Sequence, residues 1–274
     1  MIGICTDSAS QLPASLAERF GIEVVPLTLT VDDVDHLEGV DLDADEFYAS
    51  FTGGHRPVVA TNQPSPGQFA AAYDDLVARG CTEILSVHVS SAVSSTISAA
   101  RLAAHALPLP VRLVDSGTAG FGVSCCVWAA AAAIAEGASL DCAAAVAEQL
   151  TPRIGNAFVV GSADRLVLGG QETDLAGDGM PVLALHGSSL EVLGRVHSAL
   201  EAVNMLASRA IGWGERLKVA VGHSDATSLP LADALAEAVG EAASITEVVR
   251  YRIGPSVGAH TGPGTASCFM FPAC

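Results

Sequence analysis

Four short stretches concentrate the residues that could do chemistry: Thr6-Asp7-Ser8, Thr61 to Ser65 in "TNQPS", Ser90 to Thr96 in "SSAVSST", and Asp115 to Thr118 in "DSGT". All four are rich in hydroxyls and none contains Lys or Arg. Ser, Thr and Asp in such places commonly cap helices and close turns. One helix start uses one or two such groups, however, and "SSAVSST" alone supplies five hydroxyls. Hydroxyls beside helix N-termini can hold an anion without any fixed positive charge. Phosphate is one possible anion, although the chain has neither a P-loop signature nor the dinucleotide-binding glycine fingerprint. A Gly-rich loop near the C-terminus, "GPSVGAHTGPGT", offers His260 as a hydrogen-bond partner for an anion or as an acid or base.

A nucleophilic serine needs an adjacent base oriented by a third group. The chain has no GxSxG elbow, but its serines have possible partners in His88, His223, His260 and Asp7. An enzyme acting on a small anionic or phosphorylated substrate through Asp7, Ser91 and His260 is therefore the rival reading. The acidic run "VDDVDHLEGVDLDADEF" reads as a solvated loop and a helix start, and Cys125-Cys126 as a packed pair in an Ala-rich helix.

The turns sit in a repeating rhythm of short β-branched strand, polar turn and Ala-rich helix. "IGIC" leads to a helix over 13–20 stopped by Gly21, "IEVVPLTLTV" reads as a strand, and "DADEFYASF" as a short helix. "PVVA" leads through "TNQPS" to a helix from Pro66 to Arg79, with Ser65 as N-cap. "EILSVHV" and "VRLV" begin two further units. Strands alternating with helices predict an α/β fold with a doubly wound, mostly parallel sheet. Ligands of such sheets bind beyond the carboxyl ends of the strands, where the four turns lie. Thr61 would face the Ser90–Thr96 turn if the two strands carrying them are neighbours. Around "LTPRIGNA" the rhythm gives way to more strands, among them "AFVVG", "PVLALHG", "LEVLGRVHS", "RLKVAVGH" and "TEVVRYRIG", with helices near 199–211 and 229–240. The expectation is two domains: 1–152 of the α/β type, and 153–274 an α+β unit with a mixed sheet.

Thirteen Lys and Arg against thirty Asp and Glu give a net charge of −17 across 274 residues. Nucleic acids and anionic membrane surfaces are poor partners for such a chain. Seven cysteines without CxxC or metal spacing suggest a reducing, cytoplasmic setting and no zinc site. "MIGICTDSAS" reads as a strand and turn rather than a signal peptide. Ser116 to Ile134 carries no charge, yet its Gly, hydroxyl and Ala content fits a buried helix better than a membrane span. Its "VWAAAAAIAEGA" either packs closely or leaves room for a tunnel.

Taken in order, "TDSASQLP", "VVPLTLTVDD", "DADEFYASF", "ATNQPSPGQFAAAYDDL", "EILSVHVSSAVSSTISAARLA", "VRLVDSGTAGFG" and "IGPSVGAHTGPGT" resemble the DegV family of bacterial fatty-acid-binding proteins. The resemblance implies a two-domain DegV-like fold that buries one long-chain fatty acid, such as palmitate or oleate, between its domains, with no cofactor. It puts the carboxylate on Thr61 and Ser94, with His260 in the closing loop; Ser91, Asn62 and Thr96 complete the expected ligand-binding set. It further implies a carrier rather than a catalyst, one that presents the acyl carboxylate to a dihydroxyacetone-kinase-like fatty acid kinase for acyl-phosphate formation. The chain departs from the family pattern at Ala92 and Ser95, where glycines are usual. It departs again in "RLVLGGQET", and at "GRVHS", where His197 replaces an arginine and Arg195 lies two residues earlier.

Overall fold

A computed structural model describes residues 1–51, 55–161, 165–168, 171–187 and 189–273. The strands before residue 150 are β1 (Ile2–Asp7), β2 (Glu23–Val25), β3 (Thr28–Val31), β4 (Val34–Leu37), β5 (Val59–Asn62), β6 (Glu83–His88) and β7 (Val111–Asp115). The helices among them are α1 (Ala14–Phe20), α2 (Ala44–Ala49), α3 (Pro66–Ala78), α4 (Thr96–Ala104), α5 (Phe121–Ala135) and α6 (Leu140–Leu150). Beyond them come β8 (Gly155–Val159), β9 (Arg165–Leu168), β10 (Gln171–Asp174), β11 (Met180–His186), β12 (Ser189–Val196), β13 (Leu217–His223), β14 (Ile245–Arg252) and β15 (Ala266–Pro272). Helices α7 (Ala199–Ile211), α8 (Leu229–Gly240) and α9 (Pro255–Thr261) complete the set.

The N-terminal sheet has the order β2-β1-β6-β7, with every pairing parallel. The C-terminal sheet has the order β12-β11-β8-β15-β13-β14 and is mixed, since only β13 and β14 run parallel within it. This is the two-domain α/β architecture that the alternation of elements predicts. Local chemistry explains several boundaries. Gly21 takes a left-handed conformation (φ 63°) that ends α1. At α3, Ser65 accepts from the Gln68 N–H while the Gln68 side chain accepts from the Ser65 N–H, a capping box with Pro66 in the first turn.

Two expected strands belong elsewhere. "IEVVPLTLTV" is cut at Pro26, which has no N–H to donate to a ladder; β2 stays in the parallel sheet and β3 leaves it. The strand of "PVVA" is β5, which pairs antiparallel with β3, Leu29 opposite Thr61, in a separate sheet of order β4-β3-β5. Parallel strands covered on both faces need near-continuous apolar runs. Strand β1 has one, but Ala60, Thr61 and Asn62 of β5 are exposed. The acidic run is not all solvated loop either: it contains β4, and Glu38 within it is buried.

Helix α5 is apolar on all sides and lies between the two sheets. Its residues share one core with Ile4, Leu85 and Val114 of the parallel sheet and with Ala220, Phe269 and Phe271 of the mixed one. Trp128 packs edge-on against Phe271 with ring centroids 5.4 Å apart. The uncharged segment is thus an interdomain helix, and among the described residues no helix is long and apolar enough to cross a membrane. Ala129, Ala130 and Ala131 are buried within this core.

Candidate functional site

A cavity of about 680 Å³ opens where the polar turns of the N-terminal half meet the mixed sheet. From the first half it is lined by Thr61, Asn62 and the turn from Ser91 to Ser95. Phe158, Leu166, Leu185 and Leu190 form much of its apolar side from the second half, and α9 contributes His260. Thr61 and Ser94 both line this cavity, although β5 and β6 belong to different sheets and are not the neighbours that their facing one another was expected to require.

The Ser90–Thr96 turn is built from within. The Ser90 N–H donates to the Thr118 carbonyl at 2.9 Å. Ser91 gives both its N–H and its hydroxyl to the Asp115 carboxylate, the hydroxyl at 2.5 Å. The last of the four hydroxyl stretches therefore supports the third. Ser94 and Thr96 hydroxyls lie 2.8 Å apart, and the Thr96 N–H donates to the Ser94 oxygen. Thr96, expected among the ligand-binding residues, is fully buried and does not line the cavity. Neither Ala92 nor Ser95 has a positive φ, so the backbone of this loop does not require glycine at either position.

His260 rides on a structure that is not a plain loop. Pro255–Thr261 forms helix α9, begun by Pro255, and the turn after it uses Gly262 (φ 72°) and Gly264 (φ 78°). Gly264 packs backbone to backbone on Gly161: a Cβ on Gly264 would stand 2.8 Å from the Gly161 Cα. Asp225 accepts the Gly264 N–H at 2.8 Å and bonds Ser224 and Thr227. Burial works against charge on Asp225, but the bonds from Gly264, Thr227, Ser224 and Ser228 outweigh it and hold its carboxyl below the usual range.

The start of α9 is tied to the N-terminal half by residues that sequence reasoning passed over. Glu38 accepts the Ser8 hydroxyl at 2.5 Å and the Ser256 N–H at 2.8 Å. Gln11, in a left-handed conformation (φ 59°), donates to the Ser8 carbonyl and the Ser256 hydroxyl and accepts from the Gly254 N–H. Burial raises the Glu38 pKa, opposed by the bonds from Ser8 and Ser256. The one signal available was Gln11 directly after "TDSAS", too long a side chain for a simple turn.

The rival enzymatic grouping is not assembled. Ser91 and His260 line the cavity, but Asp7 is fully buried and faces His88, with Oδ2 2.9 Å from Nδ1. His88 Nε2 lies 2.7 Å from the Ser86 hydroxyl, itself 2.9 Å from the Tyr73 hydroxyl. This Ser-His-Asp succession has no exposed member, so no substrate reaches it. His223 meets Arg252 instead. Burial pushes the Cys126 thiol up to about 12 and Cys125 well above its ordinary value, which suits packed cysteines and not nucleophiles. Arg195 donates to the carbonyls of Leu175, Ala176 and Gly179 and so holds the 175–179 turn. Part of "RLVLGGQET", residues 169 and 170, lies outside the described residues.

The family model for "uncharacterised protein, DegV family" matches residues 1–273. A DegV domain-containing protein of Streptomyces coelicolor is 34% identical, over 96% of this chain and 95% of its own. A fatty-acid-binding DegV family protein of Thermus thermophilus is 28% identical and superposes with a TM-score of 0.85, covering 99% of both chains. A stearic-acid-binding protein of Eubacterium ventriosum shares the fold at 20% identity, with a TM-score of 0.83 over 99% of this chain and 98% of its own. With the fold, the turn order and the full-length match in agreement, the chain belongs to the DegV family.

Proposed function

We propose that this protein binds one long-chain fatty acid in the interdomain cavity, with its carboxylate on Thr61 and Ser94 and His260 beside it. The observation that carries the reading is one cavity lined by hydroxyls from the first half and by Phe158, Leu166, Leu185 and Leu190 from the second. Its volume, about 680 Å³, falls in the range of roughly 300–1,000 Å³ usual for small-molecule sites. The fatty-acid-binding relative from Thermus thermophilus supports the choice of ligand.

The energetics fit that division of labour. Burying a sixteen-carbon tail yields on the order of 10 kcal/mol gross, at about 0.8 kcal/mol per methylene. Desolvating a carboxylate costs several kcal/mol. Charge-assisted bonds from Thr61 and Ser94, at about 1.5–3 kcal/mol each, offset that cost and fix the head group. The tail then sets affinity and the hydroxyls set position. In this reading residues 1–152 carry the head-group turns and 153–274 close over the tail.

A head group held by neutral hydroxyls stays chemically available. We therefore infer that the protein is a carrier that presents the acyl carboxylate to a dihydroxyacetone-kinase-like partner. Titration of lipid-free protein with palmitate and oleate tests the binding, with one-to-one saturation as the expected result. Acyl-phosphate formation from ATP in the presence of such a kinase tests the presentation. Binding without acyl phosphate would leave a carrier of another kind; absence of binding would remove both.

A further inference from the structure

A buried pair of hydroxyls lines the cavity beside Phe121 and Phe269. Tyr251 of β14 and Ser267 of β15 both pair in register with Gly222 of β13, forming one row across three strands. A Cβ on Gly222 would stand 2.3 Å from the Tyr251 Cζ, so only glycine lets the phenol lie across the middle strand. The ring spans it and brings the Tyr251 hydroxyl 2.7 Å from the Ser267 hydroxyl. Both residues line the cavity, and both are otherwise buried, at 5% and 3% exposure. Phe121 packs on Tyr251 with ring centroids 4.2 Å apart, and Phe269 lies next to Phe121.

Two hydroxyls carry two protons, and the bond between them uses one. Among the described residues neither oxygen has another partner. One O–H donor is therefore left without an acceptor in a wall of aromatic rings, beside the space a ligand would fill. Buried donors are ordinarily satisfied. A plain hydrocarbon passing this point offers nothing to accept the proton, whereas an oxygen on the chain does.

We propose that the cavity takes an acyl chain bearing an oxygen function part-way along its length, a hydroxy or keto fatty acid, recognised by the Tyr251–Ser267 pair. The inference rests on the fatty-acid reading of the cavity and adds the class of chain. The test is a binding series on the wild-type protein: stearate, monohydroxystearates with the hydroxyl at successive mid-chain carbons, and the matching ketostearates. One position should bind about tenfold tighter than stearate, the worth of one recovered hydrogen bond. The ketone at that position should keep the gain, because it accepts and cannot donate. In the double variant Tyr251→Phe/Ser267→Ala the ratio to stearate should fall to about one, whatever happens to stearate itself. Stearate binding as well as every oxygenated analogue would overturn this inference and leave the fatty-acid reading intact. A preference that survives in the double variant would overturn it too. If no member of the series binds, the fatty-acid reading itself fails. The wild-type ratios decide the matter even if the double variant does not fold.

Discussion

The hydroxyl of Ser94 lies 2.8 Å from that of Thr96, and the two differ completely in access: Ser94 lines the cavity and Thr96 is fully buried. If Thr96 donates to Ser94, the Ser94 proton is left to point at a carboxylate. Ser94→Ala should then weaken palmitate binding by about 1.5–3 kcal/mol, roughly ten- to a hundredfold. Thr96→Val should weaken it less, since the contact remains and only its orientation is lost. Calorimetric titration checks both; equal affinity in wild type and Ser94→Ala would remove Ser94 from the site.

Thr61 stands on an exposed strand whose fold does not depend on its hydroxyl, because β5 is held by backbone pairing to β3. Thr61→Ala should leave the melting temperature within a degree or two and lower oleate affinity by about tenfold. Combined with Ser94→Ala, the loss should exceed either single loss. Paired melting and binding curves separate a head-group role from a structural one.

Glu38 makes stability depend on pH in a stated direction. Its folded pKa is raised above the ordinary 4.5. The folded state therefore binds a proton that the unfolded state has already released, and stability falls as pH rises from about 4.5 to the folded value. Glu38→Gln lacks that titration. The melting temperature of the Gln variant minus that of the wild type should grow over this interval and then level off; a difference constant with pH would contradict the account.

Gly264 combines a positive φ with direct backbone contact to Gly161. Gly264→Ala should cost about 1–3 kcal/mol of stability. It should also weaken fatty-acid binding, because the turn it distorts follows the helix that carries His260. Chemical denaturation and titration on the same preparation measure the two effects.

Much of this site was legible in the sequence, and the reasons differ by residue. Ser65, Pro66 and Gly21 announce helix ends through short-range chemistry, which survives in any tertiary context. The hydroxyl turns stood out because five hydroxyls in "SSAVSST" exceed what one helix start requires. Pairing was not legible in the same way. Pro26 sends β3 into another sheet, and β5 pairs with it there, where its Ala60, Thr61 and Asn62 can stay exposed as they could not in a sheet covered on both faces. Strand β15, central in the mixed sheet, went unmarked because "ASCFMFP" is a short apolar run with no alternation to distinguish it. Glu38 was hidden for a plainer reason: an acidic residue in an acidic run looks solvated, and only the arrival of Ser8 and Ser256 makes it a buried tie. Asp7 looked available to a substrate and is instead sealed against His88.

Every prediction on binding assumes a fatty acid in the cavity. Organic extraction of the purified protein, followed by mass spectrometry of the extract, tests it most directly. Close to one long-chain fatty acid per protein chain is expected, sharply reduced in Thr61→Ala/Ser94→Ala. Protein that yields no lipid, and that takes up neither labelled palmitate nor labelled oleate, would contradict it.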